Sequence, residues 1–208
     1  MNRPHAGHRS RGFRGWMQRD LPTLLLMLLL LGLARTSFAN HYVVPSGSME
    51  PTLMPGDRVV VDMSAYGLRV PFTALTLVER GVPRRGEVVL LKSPADGTRL
   101  IKRVVAVAGD RVDLEAGRLS INGVALALDH DPTLEHFAAR DVRLNLDAGG
   151  GPDIRGLEIP SGKLLVLGDH RGDSADGRAF GLVDDSAPYA RAIAVYYRRD
   201  RGLAWLSL

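Results

Sequence analysis

The chain has 208 residues, enough for one globular unit with an inserted subdomain and too few for two full domains. Its composition, 45% hydrophobic and 24% charged, excludes wholesale disorder, collagen and coiled coil, and the absence of cysteine excludes disulfides, cysteine nucleophiles and cysteine-ligated zinc. The net charge of +4 sits in the first 20 residues, where Arg3, Arg9, Arg11, Arg14 and Arg19 face only Asp20; the remainder is formally neutral and has no basic stripe for nucleic acid.

Next in the chain comes the run from Leu21 to Ala34, LPTLLLMLLLLGLA, uncharged until Arg35. Hydrophobic all round a helix, it belongs in lipid or in a translocon. Fourteen helical residues span roughly 21 Å, short of a hydrocarbon core of about 30 Å, so a span must include flanking residues and extends over 21–39. A cleaved leader also fits, with small residues at Ser37 and Ala39 before a cut after Ala39. Under either reading the arginines hold the N-terminus in the cytoplasm and send the rest across the membrane.

Beyond Asn40 no helical period persists, and short β-rich runs alternate with glycine, proline and aspartate. Strands are expected at Arg58 to Met63, Glu87 to Lys92, Leu100 to Ala108, Arg111 to Leu114, Leu119 to Ile121, Lys163 to Leu167 and Arg191 to Tyr197. Gly109-Asp110, Ala116-Gly117 and Asn122-Gly123 read as turns between them. From Asp129 to Pro160 the pattern weakens into polar, glycine-rich sequence with a Gly149-Gly150-Gly151-Pro152 break. That stretch is expected to be loose and to belong to an inserted subdomain covering about 111–162. The predicted architecture is mainly β: an N-terminal anchor helix, then an antiparallel β-sheet domain over 40–208.

Three segments can carry chemistry. Pro45 to Asp57, PSGSMEPTLMPGD, places the Ser46 and Ser48 hydroxyls two residues apart, on one side of an extended backbone. One could attack while the other donates to an oxyanion; a Ser/Gly/Pro linker is the plain alternative. Leu100 to Asp110, LIKRVVAVAGD, contains Lys102, one of only three lysines, inside a β-branched strand. A solvent-facing lysine would be ordinary there, but a lysine stripped of its charge by burial can deprotonate a serine. Leu167 to Gly181, LGDHRGDSADGRAFG, sets Asp169, Asp173 and Asp176 against Arg171 and Arg178, either as a plain surface loop or as an internal charge network placing Ser174. Asp129, His130, Asp131, Glu135 and His136 lack metal-site spacing and are expected in a polar loop.

In this order the segments resemble the type I signal peptidases, membrane-anchored Ser/Lys proteases that remove signal peptides from exported proteins. The resemblance covers roughly residues 20–198 and includes AYGLRVPFT from Ala65 and RRGEVVLLKSP from Arg84. It implies Ser48 as nucleophile, Lys102 as general base, and Ser46 with the Ser48 N–H as oxyanion hole. Ser174 is implied to orient the lysine, Asp176 and Arg178 to form a supporting ion pair, and Asp169 and Arg171 to open the loop. Also implied are exported preproteins as substrates cut after small residues, a bilayer and nearby translocon as partners, no cofactor or metal, and a catalytic domain on the extracytoplasmic side of a bacterial-type inner membrane.

The loop departs from the family pattern at His170, Gly172, Asp173 and Gly177, which puts its stiffness and the substrate preference in question. A Ser48/His170 pair is a second mechanism to weigh. Hydrophobic side chains at Leu68, Val70, Phe72, Leu75 and Leu77 suggest either a bilayer-resting face or ordinary core. Ser37-Phe38-Ala39 is itself a small-x-small sequence, open to cleavage by another copy. A specialised peptidase with few precursors and an anchored, non-catalytic peptide-binding β-domain are the competing readings.

Overall fold

The computed structural model describes residues 20–28, 40–69, 76–79, 81–137 and 140–208. Residues 20–28 are helical, and among the described residues no helix is long and apolar enough to cross a membrane. The tail 1–19 and residues 29–39, with most of the expected anchor and Ser37-Phe38-Ala39, lie outside the described residues. So do Val70, Phe72 and Leu75 of the suggested bilayer face, and the side chains of Leu68 and Leu77.

From Asn40 onward the chain is antiparallel β structure. The main sheet contains β1 (Asn40–Val43), β2 (Arg58–Asp62), β16 (Ala190–Arg198), β5 (Val88–Lys92), β6 (Arg99–Val107), β14 (Lys163–Leu167) and β15 (Val183–Asp184) in that spatial order, with β17 (Gly202–Ser207) on β16. Its centre is covered on both faces, which is why β5 and β14 read as continuous apolar runs rather than alternating ones. Val88 and Leu90 enter a cluster with Val59, Val61 and Ala192, whereas Val89 and Leu91 enter another with Val104 and Val166. β2, with one face less covered, buries Val59 and Val61 and leaves Arg58 exposed.

Between β6 and β14, which pair with each other, the chain forms two further sheets. One joins β13 (Ile154–Glu158), β7 (Arg111–Glu115), β8 (Arg118–Ile121) and β9 (Val124–Ala125); the other joins β10 (Ala127–Leu128), β11 (Asp131–Phe137) and β12 (Arg140–Arg143). Val112, Leu114, Leu119 and Ile121 alternate inward and pack with Phe137, Val142, Leu165 and Leu167 in one core cluster. A two-stranded ribbon, β3 (Gly67–Arg69) with β4 (Thr76–Glu79), completes the strand set.

All seven expected strands are present, to within one residue at each end. Ala116-Gly117 and Asn122-Gly123 both take positive φ (48° and 81°, 54° and 80°), the geometry of the primed turns that match strand twist.

The expectation of looseness between Asp129 and Pro160 is corrected: β11, β12 and β13 occupy that stretch. Polar residues mask them because β12 and β13 bury few side chains and β11 alternates irregularly. The glycine break is a packing site, not a gap. A Cβ on Gly150 would strike the backbone of Ala116 and Gly117, so only glycine lets these chains approach.

Candidate active site

The segment Pro45 to Asp57 is not a linker. Met49 and Leu53 are buried in the β2/β5/β16 cluster, and Val44 N–H donates to the Asp57 carbonyl (2.9 Å) while Gly56 N–H donates to that of Val44 (2.9 Å). Asp57 in turn takes the Arg198 guanidinium of β16 (2.8 Å). The serines therefore hang on a closed, anchored loop. Residues 46–50 form a bend and turn rather than the extended segment expected, yet the two hydroxyls still face each other, with Ser46 Oγ 3.5 Å from Ser48 Oγ. The Ser48 carbonyl accepts from the His170 N–H at 3.2 Å, which ties this turn to the loop after β14.

Lys102 lies on β6 opposite Val89 and is 2% exposed, so it is not an ordinary strand lysine facing water. Its Nζ is 2.6 Å from Ser48 Oγ. Burial pulls its pKa from 10.5 down to about 8, against weaker opposing pulls from the Asp176 and Asp169 carboxylates. A serine hydroxyl thus meets an amine that shelters from water and loses its proton in mildly alkaline solution, well below the range of a free lysine.

The adjacent residue, Arg103, points to the opposite face and is equally buried, a feature the sequence reading missed. Its guanidinium grips Asp169 in a two-pronged pair (Nε to Oδ1 2.9 Å, Nη2 to Oδ2 2.7 Å) and donates to the Gly86 carbonyl (2.6 Å). Asp169 also accepts from the Thr52 hydroxyl at 2.6 Å. One buried network therefore fastens the serine segment, the lysine strand and the loop after β14 together. The available signal was a second cation inside a run apolar on both faces, since such a charge must be paired.

This corrects the expected charge network within Leu167 to Gly181. Asp176 and Arg178 do pair (2.7 Å), but Asp169 goes to Arg103 and Arg171 goes to Glu135 of β11 (2.6 Å), with both members of that pair fully buried. Burial alone would raise the Asp176 pKa; the Arg178 guanidinium and the Gly168 N–H outweigh it and lower the pKa. Glu135 also accepts from the Leu119 N–H (2.8 Å), so of the expected polar loop at 129–136 only Asp129 and His130 lie in a turn, and the rest is β11, holding the carboxylate that locks Arg171. His136 pairs with Asp141 (2.7 Å) and Asp131 with Arg143 (3.2 Å).

His170 is buried, with its ring 2.7 Å from Asp147 and 4.0 Å from Glu50, whereas the group on Ser48 Oγ is Lys102. Of the four departures in the loop, Gly172 and Gly177 have a steric cause, because a Cβ would strike the Ala148 carbonyl at the first and the Leu165 side chain and Val166 carbonyl at the second. Ser174 Oγ is buried without a hydrogen-bond partner among the described residues. It lies against Gly168, where an added Cβ would meet both Ser174 Oγ and the Ser48 carbonyl. Gly168→Ala is accordingly expected to cost about 1–3 kcal/mol of stability through overpacking and to lower kcat by displacing the serine turn. Urea unfolding and precursor cleavage measured together check this.

A buried amine on a serine hydroxyl within an antiparallel β fold is the arrangement of a serine hydrolase that works without histidine. Comparison with known proteins narrows the class: the family described as signal peptidase, peptidase S26, matches residues 17–197. The chain belongs to that family of serine proteases. It is 30% identical over 200 residues to signal peptidase I of Pseudomonas fluorescens, covering 84% of this chain and 69% of that protein. It is 31% identical over 205 residues to that of Pseudomonas aeruginosa, with the same coverage, and 29% identical over 182 residues to signal peptidase I P of Bacillus subtilis subsp. natto, covering 87% and 89%. The crystal structure of a signal peptidase I from Enterococcus faecalis matches 60% of this chain and 97% of its own at 26% identity and a TM-score of 0.37.

Proposed function

We propose that the chain is a membrane-anchored endopeptidase that removes N-terminal signal peptides from exported preproteins after small residues, with Ser48 as nucleophile and Lys102 as general base. The observation that carries this reading is the 2.6 Å contact between Ser48 Oγ and the buried Lys102 Nζ. Neutral Lys102 takes the Ser48 proton as Oγ attacks the scissile carbonyl carbon. The resulting oxyanion accepts from the Ser46 hydroxyl and the Ser48 N–H, donors worth roughly 3 kcal/mol each at such sites. Lys102 then protonates the leaving amine. Water, deprotonated by the same amine, hydrolyses the acyl ester on Ser48.

Ser174, whose buried hydroxyl makes no hydrogen bond to Lys102 in the resting structure, is assigned to orient the amine during turnover, while Asp169, Arg171, Asp176 and Arg178 hold the loop through their buried pairs. The substrate lies extended along β6, adding as a strand. Residues 1–20 form a cytoplasmic tail, 21–39 the anchor, and 40–208 the extracytoplasmic peptidase domain with an inserted subdomain at about 111–162. The arginine bias of the tail and the helical residues 20–28 support that topology.

The test is cleavage of an exported precursor in detergent, with N-terminal sequencing of the product. Wild type is expected to cut once after a small residue and Ser48→Ala to leave the precursor whole, a loss of about 10⁴-fold or more. Processing by Ser48→Ala at the wild-type rate would overturn the assignment.

A further inference from the structure

The cleft beside Ser48 has a charged far end for which the bond-breaking chemistry has no use. Val44, Pro45 and Ser46 wall it on one side and Arg99, Leu100, Ile101 and Lys102 on the other, enclosing about 40 Å³. Along these four residues one edge of β6 is open: β14 pairs with β6 only from Arg103 to Val107, and β5 occupies the opposite edge. β1 is likewise an end strand, bonded to β2 alone. At the end of the cleft the two walls touch. Arg99 stacks over the Tyr42 ring (5.6 Å to the centroid) and donates to its hydroxyl (3.4 Å).

Directly across β5 and β6, Arg99 is paired in register with Lys92. Both are exposed, and neither enters an ion pair among the described residues. Asp96, the carboxylate of the same hairpin, is taken by the N–H and hydroxyl of Thr98. Like charges directly opposite in a sheet repel, and an anion brought beside Arg99 from the open edge offsets that repulsion. Tyr42 holds the guanidinium at the cleft end, where such an anion would arrive.

A peptide added to the open edge of β6 projects alternate side chains to its two faces. With the residue before the cut beside Lys102, the second residue before it stands beside Ile101, the third beside Leu100 and the fourth beside Arg99. A cleft this small admits only small side chains, so the residues before the cut, which are small in the reading above, occupy it.

We propose that Arg99, backed by Lys92 and held by Tyr42, is a specificity-determining residue that selects precursors with an acidic side chain at the fourth position before the cut. This inference rests on the signal-peptide cleavage assigned to Ser48 and Lys102.

The experiment uses the full chain in detergent at low ionic strength, with precursor peptides identical except for Asp, Ala or Lys at the fourth residue before the cut. A control set carries the same changes at the second residue after it. The readout is the ratio of kcat/KM for Asp over Lys within each protein, which cancels any loss of folded enzyme and is not moved by a purely structural role. Wild type is expected to favour Asp about tenfold, because attraction of one charge and repulsion of the other both count, and high salt is expected to shrink the ratio. The ratio should fall to about one in Arg99→Ala, reverse in Arg99→Glu, persist in Arg99→Lys and weaken in Lys92→Glu.

A wild-type ratio near one, a ratio unchanged in Arg99→Glu, or a preference found only at the control position overturns the proposal. Cleavage that survives Ser48→Ala sinks the underlying reading instead. Ser48-dependent cleavage without charge preference sinks this inference alone.

Discussion

Lys102→Ala is expected to lower kcat/KM for precursor cleavage by about a thousandfold or more, within the range that a positioned general base supplies. The hydroxyl of Ser48 has no other base at hydrogen-bond distance in the described structure, and the ring of His170 lies 2.7 Å from Asp147 instead. Since burial holds the Lys102 pKa at about 8, the wild-type rate should rise tenfold per pH unit below that value and level off above it. Roughly a tenth of the sites are neutral at pH 7 and about nine tenths at pH 9. A pH profile of kcat/KM flat from 6 to 9, or a Lys102→Ala enzyme within tenfold of wild type, would remove the lysine from the mechanism.

The same shift has a consequence for stability. The folded pKa lies below the unfolded one, so below about pH 8 both states bind the proton and the cost of burying the ammonium is fully present. Between about 8 and 10.5 the unfolded chain holds more protons, stability rises with pH, and the cost disappears. The gap corresponds to roughly 3 kcal/mol. Lys102→Met, which keeps the volume without the charge, is therefore expected to be more stable than wild type at pH 7 while inactive, with the advantage shrinking toward pH 10. Paired urea titrations at the two pH values measure it.

Arg103→Ala is expected to cost about 3–5 kcal/mol of folding stability, the largest stability effect predicted here. Truncating the guanidinium abandons Asp169, whose exposure is 0%, with the Thr52 hydroxyl as its remaining side-chain partner, and frees the Gly86 carbonyl. Because the pair joins all three segments of the site, activity should fall with it even where the protein still folds. Replacing both partners by apolar residues, Arg103→Met with Asp169→Leu, should recover much of the stability, since the penalty comes from the orphaned charge. A single mutant within 1 kcal/mol of wild type by urea unfolding would show the network to be dispensable.

Lys102 and Arg103 show how far local pattern reaches. A β-branched run announces a strand, and Val104, Val105 and Ala106 announce burial on both faces, so the strand was legible within one residue. Which charge each face would meet was not. Asp169 and Arg171 are separated by one residue, yet they find partners 66 residues back on β6 and 36 residues back on β11. Glu135 shows the converse. Its polar, irregular surroundings imitate a loop because β11 shares a small sheet that buries few of its side chains and relies on backbone pairing.

The turns at Ala116-Gly117 and Asn122-Gly123 and the main strands follow from local chemistry, namely β-branching, alternation and turn-forming pairs that end in glycine, whereas Ser46, Ser48, Lys102 and Ser174 are singled out by the family resemblance. Contact between Ser48 and Lys102, 54 residues apart, is of another kind. It depends on β6 lying beside a loop anchored by Met49, Leu53 and the Arg103–Asp169–Thr52 network, and the lowered pKa exists only because that packing removes water from the amine. Pairing, burial and charge state are sums over neighbours distant in sequence, so they come into being with the assembled core and not with any segment of the chain.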